Sequence, residues 1–523
     1  MNDVFGIDLG TTYSAIAYID DNGQPSIIKN ADSVDTTPSV VFFESAHNSV
    51  VGQVAKNGAV VESERTVSLI KRQMGSDYET TFDGQRQTPE MISALILKEL
   101  VTRAREETGI DSNRVVITVP AYFGVREKEA TRQAGEIAGL EVVGIVTEPV
   151  AAALSYGFKK GQSKTLFVYD LGGGTFDTTI MRTSPNAVEV LVIDGDRKLG
   201  GADWDMRLSQ LIVEKFRAAS GLAEDPMEDD DFRQTVAERT EAAKKSLSAR
   251  ESVPVSLAYG PAKDTVTVTR AEFEEATRDL LQATLDKVEA TLRAAHEKVP
   301  DLTIDEVLLV GGSAKMPAVA AALRGTQAWT PKLADPDLAV AKGAAIYGMS
   351  PDAVGGDTDA AAAAGEGNRH LLPSAPSVTN VLPKGLGVLF WRPETQSHYV
   401  GFLAHRNDTL PIERLHQRAF TADANATEIH IQIFEQGGEV ESERPADNIE
   451  VTPASGAVFT GLPSLPADSP IDIYLTINHE GLATLEAIEP ATGQKLHLEV
   501  TMAVMQPEEQ RAAMDVIARM TTR

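Results

Sequence analysis

The segment Lys164–Ile180, which reads KTLFVYDLGGGTFDTTI, constrains the fold of this chain more than any other stretch. The apolar run Leu166–Tyr169 predicts a buried strand that ends in Asp170, and three consecutive glycines follow at 172–174. Glycines lack a Cβ, so the backbone can turn tightly there and bring its N–H groups close to a ligand. The carboxylates of Asp170 and Asp177 and the hydroxyl of Thr175 suit a phosphate chain that carries a hard cation such as Mg²⁺.

The same device occurs at the start of the chain, where Val4–Tyr18 reads VFGIDLGTTYSAIAY. Asp8 ends a short apolar run there, and Gly10, Thr11 and Thr12 precede a second run. Two such copies, about 160 residues apart, indicate an internal duplication. Two ordinary glycine-rich hairpins are the plain alternative, which the matching acids disfavour. We therefore expect two similar lobes, each offering a phosphate-binding hairpin to a nucleotide in the cleft between them.

The paired hairpins resemble the phosphate loops of the actin, sugar-kinase and Hsp70 ATPase superfamily. Four further stretches resemble the ATPase domain of the Hsp70 (DnaK-like) family: Val116–Phe123 (VITVPAYF), Glu148–Tyr156 (EPVAAALSY), Leu199–Trp204 (LGGADW) and Val307–Pro317 (VLLVGGSAKMP). The resemblance runs over residues 1–350 and implies a two-lobed α/β actin-like ATPase domain. The alternation of predicted strands and helices in this part of the chain agrees with that fold class.

The composition and the hydrophobic periodicity of the sequence change after residue 350. Residues 351–380 are acidic and rich in Ala, Gly and Pro, which predicts a linker. Ile429–Phe434 and Ile471–Ile477 alternate with period two, so 381–502 is interpreted as a mainly antiparallel β domain that resembles the Hsp70 substrate-binding domain. A short helix is expected in 503–523, lying along the β domain. The family continues into a long helical lid, which this sequence is expected to lack.

The net charge of −28 argues against binding to nucleic acid or to an anionic membrane, because both require a basic surface. The chain contains no cysteine, so it can form no disulfide, cysteine–metal site or thiol nucleophile. The start of the chain does not read as a signal peptide, and no apolar run is long enough to span a membrane. These features predict a cytoplasmic protein.

The resemblance implies roles for individual residues. The catalytic set would be Lys71, Glu148, Asp170, Thr175 and Asp177, and the metal would be held by Asp8 and Asp170 through its waters. The implied nucleotide-binding residues are Gly10, Thr11, Thr12, Tyr13, Gly172, Gly173, Gly174, Thr175, Gly200, Gly201, Glu241, Lys244, Lys245, Ser248, Gly311, Gly312, Ser313, Lys315 and Asp337. Without the resemblance, Lys71 would be interpreted as a solvated surface lysine.

Two of these assignments keep a plain alternative. Residues 241, 244, 245 and 248 fall on one face of a predicted helix, which would contact adenosine or would simply carry a surface salt-bridge stripe. In the β domain, Phe420, Ile429 and Ile431 are candidates for lining a peptide site. They are equally well interpreted as core residues, because alternation marks both faces of such a sheet.

Three positions depart from the family pattern. Lys315 occupies the place of an arginine that stacks on adenine, and lysine lacks the planar face needed for stacking. Lys128 aligns with an arginine that relays the nucleotide state, although Arg126 is nearby. Pro376–Asn380 (PSVTN) replaces the leucine-rich linker and its aspartate, which calls interdomain coupling and J-domain action into question.

The sequence therefore predicts an ATP-dependent Hsp70-type chaperone that hydrolyses ATP and holds extended apolar peptides. The implied cofactors are ATP or ADP, Mg²⁺ and K⁺, and the implied partners are unfolded polypeptide, a J-domain protein and a nucleotide exchange factor. A nucleotide-dependent binding module for one dedicated partner is the first alternative. A sugar kinase of the same superfamily is the second, and nothing in the sequence indicates a sugar site.

Overall fold

A computed structural model describes residues 3–59, 62–157, 163–222, 224–350, 376–392, 394–421, 424–452, 458–500, 505 and 507–523. Most of the predicted linker, residues 351–375, lies outside the described residues. The same holds for residues 503, 504 and 506 of the predicted C-terminal helix.

The first lobe contains a sheet, a small satellite sheet and several helices. Its strands are β1 (Val4–Asp8), β2 (Tyr13–Ile19), β3 (Pro25–Ile28), β4 (Thr37–Pro38), β5 (Val41–Ser45), β6 (Asn48–Val51), β7 (Thr66–Val67), β8 (Thr80–Phe82), β9 (Gln85–Gln87), β10 (Arg114–Val119) and β11 (Glu141–Thr147). Its helices are α1 (Gln53–Gly58), α2 (Pro89–Thr108), α3 (Val125–Ile137) and α4 (Glu148–Gly157).

The second lobe repeats this plan around the second hairpin. Its strands are β12 (Lys164–Leu171), β13 (Phe176–Ser184), β14 (Ala187–Asp196), β15 (Ser252–Tyr259), β16 (Ala262–Thr269), β17 (Glu306–Val310) and β18 (Lys332–Leu333). Helices α5 (Gly201–Ser220), α6 (Asp230–Leu247), α7 (Arg270–Ala276), α8 (Arg278–Lys298) and α9 (Pro317–Gln327) belong to it, and α10 (Ala339–Tyr347) follows.

The two main sheets have equivalent strand orders. The first runs β11-β10-β1-β2-β3 and the second runs β18-β17-β12-β13-β14. In each, the first strand of the phosphate hairpin pairs in parallel with one neighbour and antiparallel with the other. The duplication inferred from the sequence is therefore a duplication of topology, and it places both hairpin loops at the carboxyl ends of central strands.

Helices α4 and α10 lie between the two sheets and pack against each other with almost no side chain between their backbones. A Cβ on Gly343 would lie 1.7 Å from the carbonyl oxygen of Ala151, and a Cβ on Gly6 would lie 2.1 Å from the backbone nitrogen of Ala345. Residues of both sheets join these helices in one buried apolar cluster. The two lobes are thus connected through a thin layer of alanine and glycine.

Residues 377–500 form the linker strand and a β domain of two facing sheets. The strands are β19 (Ser377–Thr379), β20 (Leu386–Arg392), β21 (Ser397–Ala404), β22 (Ile412–Phe420), β23 (Ile429–His430), β24 (Ile433–Glu435), β25 (Ile449–Glu450), β26 (Val458–Phe459), β27 (Pro470–Ile477), β28 (Ala483–Ile488) and β29 (Lys495–Val500). One sheet has the order β21-β20-β24-β25 and the other β22-β27-β28-β29. All pairings within them are antiparallel, as the period-two alternation predicted.

One predicted strand differs in the structure. Ile429–Phe434 divides into β23, which pairs with β26, and β24, which pairs with β20 and β25. Alternation within a run cannot reveal that its two ends pair with different partners, because pairing is decided by distant parts of the chain.

The β domain contacts both lobes. Strand β19 adds to the edge of the second sheet in parallel with β14. On the first lobe, the N–H of Val125 donates to Glu435 Oε1 at 3.0 Å, and Glu435 forms a buried ion pair with Lys384 at 3.1 Å. On the second lobe, Arg406 pairs with Asp194 at 2.7 Å. The replaced linker segment is therefore ordered against the ATPase part of the chain.

The C-terminal segment does not lie where it was expected. A helix is present, α11 (Pro507–Arg519), but it packs on α2 and α3 of the first lobe instead of along the β domain. A further strand, β30 (Thr521–Thr522), pairs in parallel with β6 of the first lobe. The expected helix is present, but the apolar stripe of a helix carries no information about which surface will cover it.

Candidate functional site

The loops of the two phosphate hairpins face each other across the cleft. A Cβ on Gly173 would lie 2.3 Å from Thr12 Oγ1, and a Cβ on Gly174 would lie 2.4 Å from Thr11 Cγ2. Real Cβ atoms do not approach other atoms so closely, so glycine is required at positions 173 and 174 of the second loop. The structure therefore brings together the two loops that the sequence predicted to share a nucleotide.

Side chains hold the first loop in place. The N–H of Gly10 donates to Ser14 Oγ at 3.2 Å, and the hydroxyl of Ser39 donates to the carbonyl of Gly10 at 2.8 Å. The two serine hydroxyls also lie 2.9 Å apart. Both serines are buried, so this small network is shielded from competing water.

Backbone groups at the start of α5 hold the second loop. The N–H of Gly201 donates to the carbonyl of Gly172 at 2.9 Å, and the N–H of Ala202 donates to the carbonyl of Gly173 at 2.8 Å. A Cβ on Gly200 would lie only 2.5 Å from a carbonyl carbon of the loop. The glycines in LGGADW thus allow the helix start to rest directly on the hairpin.

Four acids and one lysine converge beneath the loops. The side chain of Lys71 is only 3% exposed, and its Nζ lies 2.5 Å from Glu148 Oε1. Asp170 and Asp177 are buried as well, and Tyr122 N–H donates to Asp177 Oδ1 at 3.0 Å. The interpretation of Lys71 as a solvated surface residue does not fit its burial.

The acids of this cluster are held in an unfavourable charge balance. Burial and the charge of Glu148 raise the pKa of Asp8 to about 7, against the effect of Lys71. Burial, together with the charges of Glu148, Asp177 and Asp8, also raises the pKa of Asp170 well above its ordinary value. A further cation in the cluster would favour the ionised forms and lower these pKa values.

The arrangement fits a divalent cation that is bound largely through its own waters. Asp170 Oδ2 is buried and has no hydrogen-bond partner, whereas Asp8 Oδ1 accepts from Thr118 at 3.2 Å. Among the described residues, no three His, Cys, Asp or Glu side chains lie close enough together to form a metal site by themselves. Oxygen ligands in small number with retained waters are the pattern that Mg²⁺ prefers.

The predicted adenosine-binding residues lie on the second lobe, beside the hairpin. Lys244 Nζ donates to the carbonyl of Gly201 at 3.0 Å and pairs with Asp205 at 2.7 Å. A Cβ on Gly201 would lie 2.2 Å from Ser313 Oγ, so α6, α5 and the turn after β17 meet at this point. Ser248 directly follows α6, and its N–H donates to the carbonyl of Lys245 at 3.3 Å.

The turn after β17 carries the other predicted glycines. Gly311 has φ +81°, and a Cβ there would lie 2.4 Å from the carbonyl oxygen of Leu171. Gly312 lies beside Asp337, and the side chain of Asp337 forms an ion pair with Lys315. The structure thus places Lys315 at the rim of the cleft, partly exposed and held by one acid.

A second cluster bridges the two lobes above the loops. The hydroxyl of Tyr13 donates to Glu241 Oε1 at 2.8 Å and accepts from Lys56 at 2.8 Å and from Lys245 at 2.9 Å. Lys56 also forms an ion pair with Glu241. Although burial opposes it, hydrogen bonds from Lys245 and Lys56 lower the pKa of Glu241 to about 2. The face of α6 that could have been a surface salt-bridge stripe therefore reaches across the cleft.

Sequence reasoning missed Lys56 and Arg72. Arg72 Nε donates to the carbonyl of Gly174 at 2.9 Å, and Arg72 pairs with Asp203 at 2.6 Å. In the sequence, a place for Arg72 near the cleft is indicated by its position next to Lys71 in LIKRQMG. Lys56 lies in α1 outside every motif, and its role in the cleft depends on packing that one sequence does not reveal.

The remaining candidates are scattered. Ile431 is 4% exposed in the core of the β domain, Ile429 packs against that core, and Phe420 is 62% exposed. Lys128 is buried between the first lobe and the β domain, where it donates to the carbonyl of Glu480 at 3.1 Å. Burial lowers the pKa of Lys128 to about 8, against the nearby charge of Glu480.

Comparisons with known proteins agree with this architecture. The model of the Hsp70 protein family matches residues 4–83 and 77–522. The chaperone protein DnaK of Thermosipho melanesiensis is 36% identical over 504 residues, which cover 94% of this chain and 79% of that protein. The DnaK of Thermosipho africanus is 36% identical over 510 residues, which cover 95% of this chain and 80% of that protein. Within the described residues, no helix has the length and hydropathy needed to cross a bilayer.

Proposed function

Since this chain belongs to the Hsp70 family of ATP-dependent chaperones, we propose that its opposed hairpins hold the phosphates of ATP with Mg²⁺ between them. Proteins of this family are ATPases, and ATP hydrolysis to ADP and phosphate is the activity of this chain. The observation that carries the residue assignment is the contact between the two loops above a buried cluster of acids.

The loops and the acids have separate tasks in this proposal. The N–H of Gly172 donates to the carbonyl of Thr175, so the N–H groups at 173 and 174 and the hydroxyls of Thr11, Thr12 and Thr175 are the groups proposed to bind phosphate oxygens. Asp8 and Asp170 hold the metal through its waters, and the metal neutralises charge on the phosphates. Phosphoryl transfer depends mainly on positioning and electrostatics, so a preorganised cluster can supply much of the rate.

Lys71 and two acids act on the attacking water. Among the residues that the structure describes, Lys71 is the one cation acting on the buried acids, so it is suited to neutralise charge that develops on the γ-phosphate. Glu148 fixes the position of Lys71 through its 2.5 Å ion pair. Asp177, which accepts a hydrogen bond from Tyr122 N–H, is proposed to accept a second one from the attacking water.

Residues on the second lobe bind the nucleoside. Lys244, Ser313 and the glycines at 201, 311 and 312 surround the space expected for adenosine, with Lys315 and Asp337 at the rim. Tyr13, Glu241, Lys56 and Lys245 then close the cleft over the bound nucleotide. K⁺ is proposed as an additional ion near the phosphates on the strength of the family alone.

The β domain is proposed to bind unfolded or extended polypeptide, with J-domain and nucleotide-exchange proteins as partners in the cytoplasm. Phe420 is the strongest of the three candidate peptide contacts, because its ring is largely exposed. Ile431, by its burial, serves the core of the domain.

One experiment tests whether peptide binding depends on the nucleotide and how many different peptides the chain binds. Peptide arrays are probed with the intact chain in ATP and in ADP, with Asp170→Asn as the control that lacks one metal-holding acid. We expect many unrelated apolar peptides to bind, with an affinity that depends on the nucleotide only when Asp170 is present. Binding of a single sequence would favour a dedicated module, and phosphorylation of a sugar by ATP would favour the kinase alternative.

A further inference from the structure

The segment that follows the last β-domain strand becomes part of the first lobe. The N–H of Met505 donates to Gln133 Oε1 on α3 at 3.2 Å. The side chains of Met505, Ala513, Ile517 and Met520 are each at most 6% exposed, and all four belong to the apolar core of the first lobe. Helix α11 is therefore a structural member of that lobe.

The end of the segment is fixed by hydrogen bonds. Strand β30 extends the satellite sheet, and the N–H of Val51 donates to the carbonyl of Arg523 at 2.9 Å. Lys98 Nζ donates to the carbonyls of Ile517 at 2.9 Å and Met520 at 2.8 Å. Carbonyls at the end of a helix otherwise lack partners, so Lys98 satisfies them with a positive charge.

Besides the direct contacts of Glu435 and Arg406 with the lobes, two chain segments connect the β domain to the rest of the molecule, and they are held with unequal strength. The linker strand β19 adds to the second sheet, but none of its three side chains is buried. The segment 505–523 instead buries four apolar side chains and pairs with β6. Segments with few buried apolar contacts open most easily, so the linker strand should detach before the C-terminal segment does.

Chain length limits how far the β domain can move while that segment stays bound. Only four residues separate Val500, the end of β29, from Met505. Five extended steps of the backbone cover at most about 18 Å. We infer that residues 505–523 are a permanent anchor, which holds the β domain within this distance of the first lobe whichever nucleotide is bound. Nucleotide exchange then reorients the β domain without releasing it.

The inference rests on the proposed function only in assuming that nucleotide changes the position of the β domain. The absence of native cysteine allows a clean distance measurement in the full-length chain. Glu107→Cys on the first lobe and Thr476→Cys on the β domain, both at exposed positions, would carry a donor and an acceptor dye. ATP hydrolysis is measured in the same samples, so a failure of the proposed activity is recognised separately from a failure of the anchor.

We expect energy transfer in the intact chain to differ little between ADP and ATP, because the anchor limits how far a reoriented β domain can move. In Ile517→Asp/Met520→Asp, the anchor should detach, and transfer in ADP should fall by about half as the β domain moves away from the first lobe. The inference is overturned if the intact chain loses as much transfer in ADP as the double variant. It is equally overturned if the double variant keeps the transfer of the intact chain.

A covalent lock guards against misfolding of that variant. Thr522 and Ser49 are partners across β30 and β6, and neither hydroxyl has a hydrogen-bond partner that a substitution would remove. Ser49→Cys/Thr522→Cys should therefore form a disulfide without loss of native bonds. With the lock closed, rates of peptide release in ADP and in ATP should stay within about twofold of those of the reduced protein. A lock that abolishes the difference between the two nucleotides would mean that the segment must detach, and would refute a permanent anchor.

Discussion

The two phosphate hairpins share a motif and a place in their sheets, yet different means hold their loops. Serine side chains hold the first loop, whereas backbone groups of α5 hold the second. The residue that follows each loop also differs: Tyr13 turns its hydroxyl into the cleft, and Phe176 is fully buried in the core of the second lobe. The duplication therefore preserved the strand pairing, while each lobe acquired its own surroundings for the loop.

The acids at the two hairpins also differ in their hydrogen-bond partners and in the number of neighbouring acids. Asp8 accepts a hydrogen bond from Thr118, but Asp170 Oδ2 has no partner, and Asp170 lies beside three other acids. Asp170 thus depends more strongly on a cation supplied from outside the chain.

The largest expected effect separates these two acids. Asp170→Asn should lower single-turnover ATP hydrolysis by more than about 10²-fold, and Asp8→Asn by about 10²-fold, because each removes charge that holds the metal. A titration with Mg²⁺ should show weaker metal dependence in both variants, with the greater loss at Asp170. Near-parental rates in either variant would contradict its role, and equal losses would remove the distinction between the hairpins.

Lys71 tests whether the cluster between the hairpins works as a unit. Lys71→Met should slow hydrolysis by about 10²-fold while ATP still binds, because the charge acts mainly on the transition state. Calorimetric titration with ATP and single-turnover hydrolysis separate the two properties. Glu148→Gln combined with Lys71→Met should cost less than the sum of the single changes, since the two residues share one ion pair. Hydrolysis at the parental rate in Lys71→Met would show that the assignment is wrong.

Tyr13 tests the difference between the residues that follow the loops. Tyr13→Phe makes the first hairpin like the second at this position and removes the hydroxyl that joins Lys56, Lys245 and Glu241. We expect ADP to dissociate about five times faster, the scale of one net hydrogen bond. Tyr78→Phe, at an exposed tyrosine, is the matched control. An unchanged rate of fluorescent ADP release would mean that this cluster does not gate the cleft.

The smallest expected effect concerns the rim of the second lobe. Lys315→Arg should tighten binding of ATP or ADP by about 0.5–1 kcal/mol, because arginine can stack on the adenine ring. Calorimetry should detect this change, with hydrolysis by the bound enzyme left near the parental rate. Weaker or unaltered binding would indicate that Lys315, paired with Asp337, does not lie over the base.

Local patterns predicted the elements of the ATPase part well. The run Leu166–Tyr169, predicted as a buried strand, lies within β12 (Lys164–Leu171), and the short apolar run that ends in Asp8 is β1 (Val4–Asp8). The hairpin of β15 and β16 was not predicted, because none of the recognised motifs falls within it. Val253, Val255 and Leu257 alternate there as in a strand, but this short signal lies between α6 and α7, two helices rich in charged residues.

What the sequence could not predict depends on contacts between distant segments. Tyr13 and Lys56 meet Glu241 only because two lobes close on each other, and no motif links their positions. A helix was predicted for the C-terminal segment, yet the surface that covers the apolar side of α11 is formed by residues some 400 positions earlier. Short-range periodicity decides the kind of element, whereas the choice of partner is a property of the whole fold.

The layer between the lobes has a mechanical consequence. Helices α4 and α10 meet through alanine and glycine, whose side chains have no rotamers to rearrange and form only shallow ridges. Packed helices of this kind can slide past each other by small steps without unlocking their neighbours. We therefore expect the ion pairs and hydrogen bonds at the mouth of the cleft to contribute more than this helix contact to the work needed to open it. Close packing of α4 on α10 is therefore compatible with a small rotation of one lobe relative to the other.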